Sequence, residues 1–460
     1  MRKVSTDVKA GIWYTVGNFV NRGIVFISTP VFARMLTKEE YGGFSNFTAW
    51  VDMLVVITSL DLYASINRAY QEYEDDFDTY MSTISWTGIM FTALCYLIIW
   101  GFREWAVNLF GMKFPYINMM FLYLLFAPAT QLYLTWQRIR GRYRSAIFVS
   151  LGNALFSLGL SVVMVLACQN RLWGRIMGYV FPVVMVNVVL YGFFLTKGKV
   201  FVREKARYAL MIAIPLIPHT LSGTILAKSD QFMIKHYCGD ADLAVYSFAY
   251  QCSLVVSILS TSINQAYVPW LYRKIKEGHL EGIKRQVRRL FALFLVLILG
   301  VLLIAPEMVY ILGSEKYRDA VRIMPIVMCG YCFRFLYTYY VNIELYCMKS
   351  FTVSVATVIA AVINVILNFW WIPRYGYEVA AVTTSIGFAI LYGLHYAAVK
   401  RTQYYEIYDH KRLLLFMCLF LLAVVGVSYL YLTPAVRYFI IVIYIAIVGC
   451  MACKFFLGKK

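Results

Sequence analysis

Charged residues are scarce in this sequence. Only 15% of its 460 residues are Asp, Glu, Lys or Arg, whereas 61% are hydrophobic, and the mean hydropathy is +0.66. This balance excludes an ordinary water-soluble domain. Segments of about ten residues with alternating polarity are also missing, which excludes a transmembrane β-barrel. Because no GxxxxGK[ST] loop and no DNA-binding or hydrolase motif occurs, nothing in the sequence favours an ATPase or a nucleic-acid-binding protein.

Apolar stretches of about 20 residues fill most of the chain, and this length crosses a hydrocarbon core of about 30 Å. We therefore predict an all-α integral membrane protein with about 14 transmembrane helices. The predicted helices cover residues 11–35, 44–66, 82–101, 115–136, 146–167, 173–196, 208–235, 243–268, 289–313, 322–346, 352–371, 378–399, 413–432 and 436–456. The link between residues 269 and 289 is predicted to be an amphipathic basic helix on the membrane surface.

The distribution of lysine and arginine predicts the orientation. With the N-terminus inside, 28 of the 43 basic residues fall in cytoplasmic segments, which resist translocation. Both termini are therefore expected in the cytoplasm, in a multi-pass protein of the cell inner membrane. Basic loops facing anionic lipid account for the net charge of +19 without a nucleic-acid partner.

Two parts of the chain resemble each other. Residues 38–45 and 239–248 are both polar turns that lead into an aromatic, small-residue helix start, and Asn153 with Gly174 and Gly178 is matched by Asn364 with Gly376 and Ala380. Small residues four apart let helices approach closely. We predict a six-helix lobe at 1–200, a second at 201–400 related by a parallel repeat, and two additional helices at 401–460.

Charges inside predicted helices are costly, so each needs a partner or a cavity. They are Arg22, Arg34, Asp52, Asp61, Lys228, Asp230, Lys235, Arg334 and Glu344. Arg34 and Lys235 lie near helix ends and can extend to the interface. Arg22 lies mid-helix beside Asn18 and Asn21, where a cavity role and an ion pair with Asp52 or Asp61 both remain open.

Other groups leave similar alternatives. Lys228 and Asp230 follow Pro215 and Pro218, and they pair with each other, with another helix or with substrate. His219 and His395 are interpreted as structural. Asp76 and Asp78 match the Asp-x-Asp string of metal-dependent glycosyltransferases, but we interpret this acidic loop as solvated and predict no metal site.

The chain resembles the Wzx-like polysaccharide and oligosaccharide flippases of the multidrug, oligosaccharidyl-lipid and polysaccharide (MOP) exporter superfamily. The residues that carry this resemblance are Pro30, Ala33, Arg34, Leu36, Glu40, Tyr41, Gly42, Ala64, Ile66, Arg68, Ser229, Asp230, Tyr246, Ser247, Asn364, Asn368, Ile372, Pro373, Tyr375, Gly376, Ala380 and Ala381. One departure is Asp61, where the family often has glycine.

The resemblance implies that two lobes move a polyprenyl-diphosphate-linked oligosaccharide, an O-antigen, capsule or related unit, to the outer leaflet by alternating access. It assigns the diphosphate to Arg22, Lys228 and Arg334. The implied polar cavity residues and charge partners are Asn18, Asn21, Asn264, Asp52, Asp61 and Asp230. The resemblance implies a transporter that is not an enzyme and needs no cofactor. Transport would be coupled to a proton gradient, a sodium gradient or the membrane potential. Its partners would be the lipid-linked glycan, membrane lipids, and a glycan polymerase with other assembly proteins.

Two other classes compete with this interpretation. A drug or cation antiporter of the same superfamily would use the acidic residues Asp52, Asp61 and Asp230. A membrane glycan polymerase or acyltransferase would need a long external loop or a catalytic His-Asp pair, and the external loops predicted here are short.

Arg22 provides a first test. If its guanidinium binds diphosphate, Arg22→Ala should abolish glycan export at a normal protein level, while Arg22→Lys keeps part of it because the charge survives. If Arg22 only neutralises Asp52 or Asp61, removing that carboxylate as well should restore abundance and export. Surface glycan and membrane protein level are the measurements, and rescue in the double variant would exclude the substrate role.

Overall fold

A computed structural model describes residues 17, 20, 23, 24, 26–198 and 201–457 of the chain. Within this part all regular structure is helical. The helices are α1 (26–35), α2 (Lys38–Thr58), α3 (Ile66–Glu72), α4 (Phe77–Gly101), α5 (Arg103–Phe110), α6 (Phe114–Phe126), α7 (Pro128–Ile139), α8 (Tyr143–Ala167), α9 (Arg171–Gly198), α10 (Arg203–Ala213), α11 (Ile217–Tyr237), α12 (Asp240–Cys252), α13 (Leu254–Lys276), α14 (Leu280–Leu303), α15 (Ala305–Gly313), α16 (Ala320–Tyr346), α17 (Ser350–Tyr375), α18 (Val379–Lys400), α19 (His410–Leu430) and α20 (Pro434–Leu457).

The membrane-spanning character expected from composition is confirmed. Among the described residues, ten helical segments are long and apolar enough to cross a membrane, and two bent pairs raise this number to twelve. α20 adds a shorter apolar stretch, Pro434–Cys450. Every predicted helix after the first has a counterpart, and 11–35 lies partly outside the described residues. The chain is an all-α, multi-pass membrane protein.

The second predicted span is broken rather than continuous. α2 ends at Thr58 and a short 3-10 turn, Leu62–Ser65, leads into α3 at an angle of 46°. Leu60 and Asp61 lie between them with φ values of 52° and 51°. Left-handed backbone is incompatible with a right-handed helix and costs an L-residue about 1 to 2 kcal/mol. The break is therefore built into the backbone, and it explains why glycine suits position 61.

The seventh span is also interrupted. α10 ends at Ala213, a 3-10 turn covers Ile214–Leu216, and α11 starts at Ile217. Pro215 and Pro218 lack the backbone N–H that would continue the α-helical hydrogen bonds. The two prolines thus coincide with a change from α-helical to 3-10 hydrogen bonding, although the helical segment runs on from Arg203 to Tyr237 as one candidate span.

One predicted element is wrong. Residues 269–289 do not form a separate surface helix, because α13 continues through Pro269 to Lys276 and α14 begins at Leu280. The basic residues that suggested a surface helix belong instead to the ends of two long helices. A lysine- and arginine-rich helix end and an amphipathic surface helix have the same local composition, which explains the error.

Contacts divide the chain into two compact units. The first contains the described residues up to Ala244 together with Ile372–Gly376, and the second contains Val245–Trp371 and the described residues from Tyr377 onward. α10 and α11 thus belong to the first unit by contacts, whereas the sequence repeat assigns them to the second half. A repeat reflects duplication and a contact unit reflects packing, so the two divisions describe different properties.

Several residues of the family resemblance build the fold. Thr37 caps α2 by accepting a 3.2 Å bond from the backbone N–H of Glu40, whose carboxylate accepts one of 2.8 Å from the N–H of Thr37. This reciprocal capping satisfies two helix-end donors. Asn364 and Asn368 are fully buried and join Thr383 and Thr384 in a chain of side-chain hydrogen bonds. Buried amides of this kind bring helices together in an apolar medium.

Small residues permit close helix contacts, as expected for Gly174 and Gly178. A Cβ at Gly174 would lie 2.3 Å from the Met164 carbonyl oxygen, and one at Gly178 would lie 2.2 Å from Ser161 Cα. Gly376 differs from the expectation. Nothing lies within 4 Å of its added Cβ, and its φ of 78° places it in the left-handed region, so a turn rather than packing requires glycine there.

Gly42 makes the tightest of these approaches. A Cβ there would lie 1.8 Å from the backbone oxygen of Asp240. We expect Gly42→Ala to destabilise the protein by about 1 to 3 kcal/mol or more, because backbone must move to admit a methyl group. Gly159→Ala is the matched control, since nothing lies within 4 Å of that position. Thermal unfolding in detergent is the measurement, and equal melting temperatures would contradict the close approach.

Candidate functional site

A polar seam runs between α2 and α11 in the first unit. The two segments are antiparallel, since residue numbers fall along one as they rise along the other. Trp50 packs against Phe232 with ring centroids 4.1 Å apart, Asp52 pairs with Lys228, and Asp61 accepts a hydrogen bond from Thr220. We call these contacts the α2/α11 seam.

Lys228 is the cation of the seam. Its Nζ lies 3.0 Å from Asp52 Oδ2, and the two side chains are 27% and 50% exposed. The structure thus shows an interhelix pair for Lys228, and its predicted contact with substrate stays a prediction. Half of the Asp52 side chain remains accessible, so the pair is not sealed inside the protein.

Aromatic side chains surround other parts of this unit. Trp50 also meets Phe110 edge to face at 4.7 Å. Tyr123 and Tyr179 stack at 5.0 Å, and the Tyr179 hydroxyl donates to that of Tyr123 at 3.2 Å. Aromatic faces and phenolic hydroxyls are surfaces on which sugar rings can bind, since they offer apolar area and hydrogen bonds together.

Asp61 lies at the helix break and is 4% exposed. Thr220 Oγ1 donates to its Oδ2 at 3.1 Å. The carboxylate thus accepts a hydrogen bond from a hydroxyl group of α11. This accounts for the tolerance of a buried acid where a neutral residue is usual in the family.

Asp230 is not the partner of Lys228. It is 2% exposed, and its Oδ1 accepts a 2.8 Å bond from the backbone N–H of Gln231. Two residues apart on a helix, Lys228 and Asp230 point to different sides. Asp230 is therefore a buried residue of α11 rather than part of the accessible pair.

The second unit holds the remaining described candidates. Arg334 on α16 is exposed, and its guanidinium lies 5.9 Å from the Phe388 ring centroid. Among the described residues no carboxylate forms an ion pair with it. Asn264 on α13 accepts a 2.8 Å bond from the Asn342 amide, which satisfies its oxygen within the protein. Arg334 is consequently the better placed of the two for an incoming anion.

Arg22, Asn18 and Asn21 lie outside the described residues. Their predicted roles therefore stand as sequence predictions. Their suggested partners can be placed: Asp52 faces Lys228 and Asp61 faces Thr220.

Sequence reasoning missed a buried acid and base in the second unit. Glu344 Oε1 and His395 Nδ1 are 2.6 Å apart, and the side chains are 0% and 1% exposed. Within the described structure, Glu344 Oε2 and His395 Nε2 have no hydrogen-bond partner. The sequence analysis interpreted His395 as structural but did not identify Glu344 as its partner. The two residues are 51 positions apart and lie on different helices.

Arg175 was also missed, because it lies close to the predicted start of its helix. Its guanidinium carbon lies 3.8 Å from the Phe32 ring centroid and 4.1 Å from that of Phe44. Nη1 donates to Ser161 at 2.6 Å. Two aromatic faces and a hydroxyl stabilise this cation without a described carboxylate, so it braces α9 against its neighbours.

The acidic loop does not assemble a metal site. Asp76 forms an ion pair with the buried Lys205, and Asp78 lies 3.4 Å from Arg140. Across the described residues, no group of three or more His, Cys, Asp or Glu side chains is arranged to hold a metal ion. Both aspartates of the Asp-x-Asp string therefore pair with basic side chains of the protein itself.

The buried pair of Glu344 and His395 can be tested by stability. Glu344→Leu or His395→Leu should each destabilise the protein by about 3 to 5 kcal/mol, because the remaining polar group is left unpaired. The double variant should recover much of this loss. Arg318 and Glu315, 80% and 68% exposed, form the control pair, whose single substitutions should cost less than about 1 kcal/mol. Additive losses in the double variant would contradict a coupled pair.

Comparison with known proteins supplies the family. The polysaccharide biosynthesis protein family matches residues 8–274, which is more than half of the chain, and the MatE family matches residues 215–370. Protein 1 of the Lsg locus of Haemophilus influenzae is 24% identical over 323 residues, which cover 67% of this chain and 77% of the relative.

Solved structures with the same fold are transporters. The lipid II flippase MurJ, in an inward closed conformation, superposes with a TM-score of 0.77 at 13% identity, covering 97% of this chain and 100% of MurJ. An inward-facing multidrug resistance transporter of the MATE family gives a TM-score of 0.60 at 12% identity, with coverages of 83% and 96%. At these identities the likeness concerns the fold. The match over residues 8–274 shows that the chain belongs to the polysaccharide biosynthesis protein family.

Proposed function

We propose that this protein moves a polyprenyl-diphosphate-linked oligosaccharide, such as an O-antigen or capsule unit, from the inner to the outer leaflet of the cell inner membrane. The observation that carries the proposal is Lys228, an accessible cation within a membrane span. It is held 3.0 Å from a half-exposed carboxylate. The family supports the substrate class, and the basic-residue distribution supports cytoplasmic termini.

The pair of Lys228 and Asp52 suits an anion that must bind and leave. In the empty protein Asp52 neutralises Lys228, so the cation is tolerated at membrane depth. A diphosphate carries more charge than one carboxylate and competes for the ammonium through charge-assisted hydrogen bonds. Asp52 then repels the bound anion, which prevents it from binding too tightly to be released.

Direction follows from the membrane potential. An interior-negative potential favours outward movement of negative charge by about 2.3 kcal/mol per charge per 100 mV. The diphosphate can therefore be driven outward without ATP, and no cofactor is required. A proton or sodium gradient is an additional source of coupling.

A cation antiporter is the second candidate, and the acidic residues argue against it. Asp52 is neutralised by Lys228, Asp61 is hydrogen-bonded by Thr220, and Asp230 is buried. A cationic drug would thus meet Lys228 at the one accessible acid of the seam. The enzyme alternative, a glycan polymerase or acyltransferase, receives no support from the family. Such a polymerase is instead an expected partner.

Lys228 offers the decisive test. Lys228→Ala should reduce export of the lipid-linked glycan at least tenfold, whereas Lys228→Arg should retain part of it because the cation is preserved. Adding Asp52→Ala to Lys228→Ala should restore protein abundance, since no unpaired charge remains, but not export. Export is measured as surface glycan relative to membrane protein level.

The control uses another ion pair of the same unit, Lys235 with Asp240. A Lys235→Ala/Asp240→Ala double variant should export normally. Restored export in the Lys228→Ala/Asp52→Ala variant would show that the pair of Lys228 and Asp52 has only a structural role. Resistance to a cationic dye such as ethidium, lost with Asp52→Ala, would favour the antiporter.

A further inference from the structure

A groove in the first unit combines an apolar wall with two arginines. It has a volume of about 950 Å3 and lies between α4 and α10. Thr87, Met90, Phe91 and Leu94 line one side at helical spacings of three and four, so they form one face of α4. We call this the α4/α10 groove. Its size is that of a ligand site rather than a packing defect.

The other wall is one face of α10 and the turn that follows. Arg203, Arg207 and Met211 are spaced four residues apart, and Ile214 continues the same face. The eleven residues of α10, Arg203–Ala213, span about 16 Å, roughly half the thickness of a hydrocarbon core. The groove is thus long enough to hold an extended hydrocarbon chain along its axis.

Charge is confined to one end of this groove. Arg203 and Arg207 are both exposed, and no ion pair links either to a carboxylate among the described residues. Lys205 lies between them in sequence but differs from both, because it is buried and pairs with Asp76. The same helix turn therefore contains one neutralised cation that anchors α10 to the acidic loop and two cations that remain available.

The position of α10 is fixed at the charged end. The backbone N–H of Val202 donates to Thr83 Oγ1 of α4 at 3.2 Å, and Lys205 also donates to the backbone oxygen of Asp76 at 3.0 Å. Ala209 and Ala213 are fully buried on the side of α10 opposite the arginines. These contacts fix the position of α10 without involving Arg203 or Arg207, so both guanidinium groups remain available at the rim of the groove.

We infer that the α4/α10 groove binds the prenyl chain of a polyprenyl diphosphate, and that Arg203 and Arg207 bind its diphosphate before it passes to Lys228. The occupant must be apolar over most of its length and doubly anionic at one end, which this amphiphile satisfies. Two guanidinium groups match two adjacent phosphates through bidentate hydrogen bonds. This inference rests on the proposed function, because it names where the lipid part of that substrate is held.

The far end of the groove adds a consequence. Leu60 and Pro215 line it, and these residues belong to the break after α2 and to the turn between α10 and α11. A chain in the groove thus contacts both interrupted spans. The carboxylate of Asp61, next to Leu60, is bonded to Thr220 on α11. The groove and the α2/α11 seam therefore meet at the same break.

The test uses the full chain in nanodiscs and native mass spectrometry with undecaprenyl diphosphate as the probe. Arg203→Gln/Arg207→Gln should weaken binding at least tenfold. Met211→Trp, at a 60% exposed groove position, should also weaken it by filling the space. Arg142→Gln/Arg144→Gln and Val189→Trp are controls, since these exposed residues lie outside the groove, and both should bind normally.

Two further probes separate the sources of the anion. Inorganic diphosphate that binds as tightly as undecaprenyl diphosphate would overturn the role of the apolar wall. Phosphatidylglycerol that binds equally well, with the same arginine dependence, would overturn the assignment to a prenyl diphosphate and leave a site for ordinary anionic lipid. Weak binding of both probes is the expected result.

The outcome also distinguishes this inference from the proposed function. If the arginine variants bind undecaprenyl diphosphate and export glycan normally while Lys228→Ala does not export, the groove assignment fails and the flippase stands. If the unchanged protein binds no undecaprenyl diphosphate and Lys228→Ala exports normally, both fail.

Discussion

The lack of water in a hydrocarbon core is the constraint on which this structure depends. A charge there must find a partner inside the protein or face an aqueous cavity. Lys228 pairs with Asp52, and Glu344 lies against His395. These pairs differ in accessibility, and that difference separates their roles. A fully buried pair fixes helices, whereas a half-exposed pair can exchange one partner for a ligand.

Helix positions were predictable because a membrane imposes a length on each apolar segment, and all the spans expected after the first recur in the structure. What the sequence could not supply was the path of each backbone between those limits. The break at Leu60 and Asp61 depends on two left-handed residues, which hydropathy does not register. The supposed surface helix after Pro269 failed for a related reason, since composition alone cannot tell a helix end from a helix lying on a membrane.

The candidate site was predictable in its residue types but not in its pairings. A charged residue within an apolar stretch is visible in the sequence, so Lys228, Asp52 and Asp61 were recognised as candidates. Their partners come from distant segments, and no local pattern relates Asp52 to Lys228 or Glu344 to His395. The α4/α10 groove was invisible for the same reason. Arg203 and Arg207 belong to a basic loop whose charge is already accounted for by the predicted orientation in the membrane. Only the fold shows that they differ from Lys205 in burial and pairing.

The left-handed backbone at Asp61 also constrains how this protein can evolve. Glycine, asparagine and aspartate are the residues that adopt such a conformation readily. Glycine and aspartate codons differ by a single nucleotide, so a negative charge can be gained or lost here without rebuilding the bend. Position 61 is therefore a place where closely related transporters can change the charge beside the break by one mutation while keeping the same helix geometry.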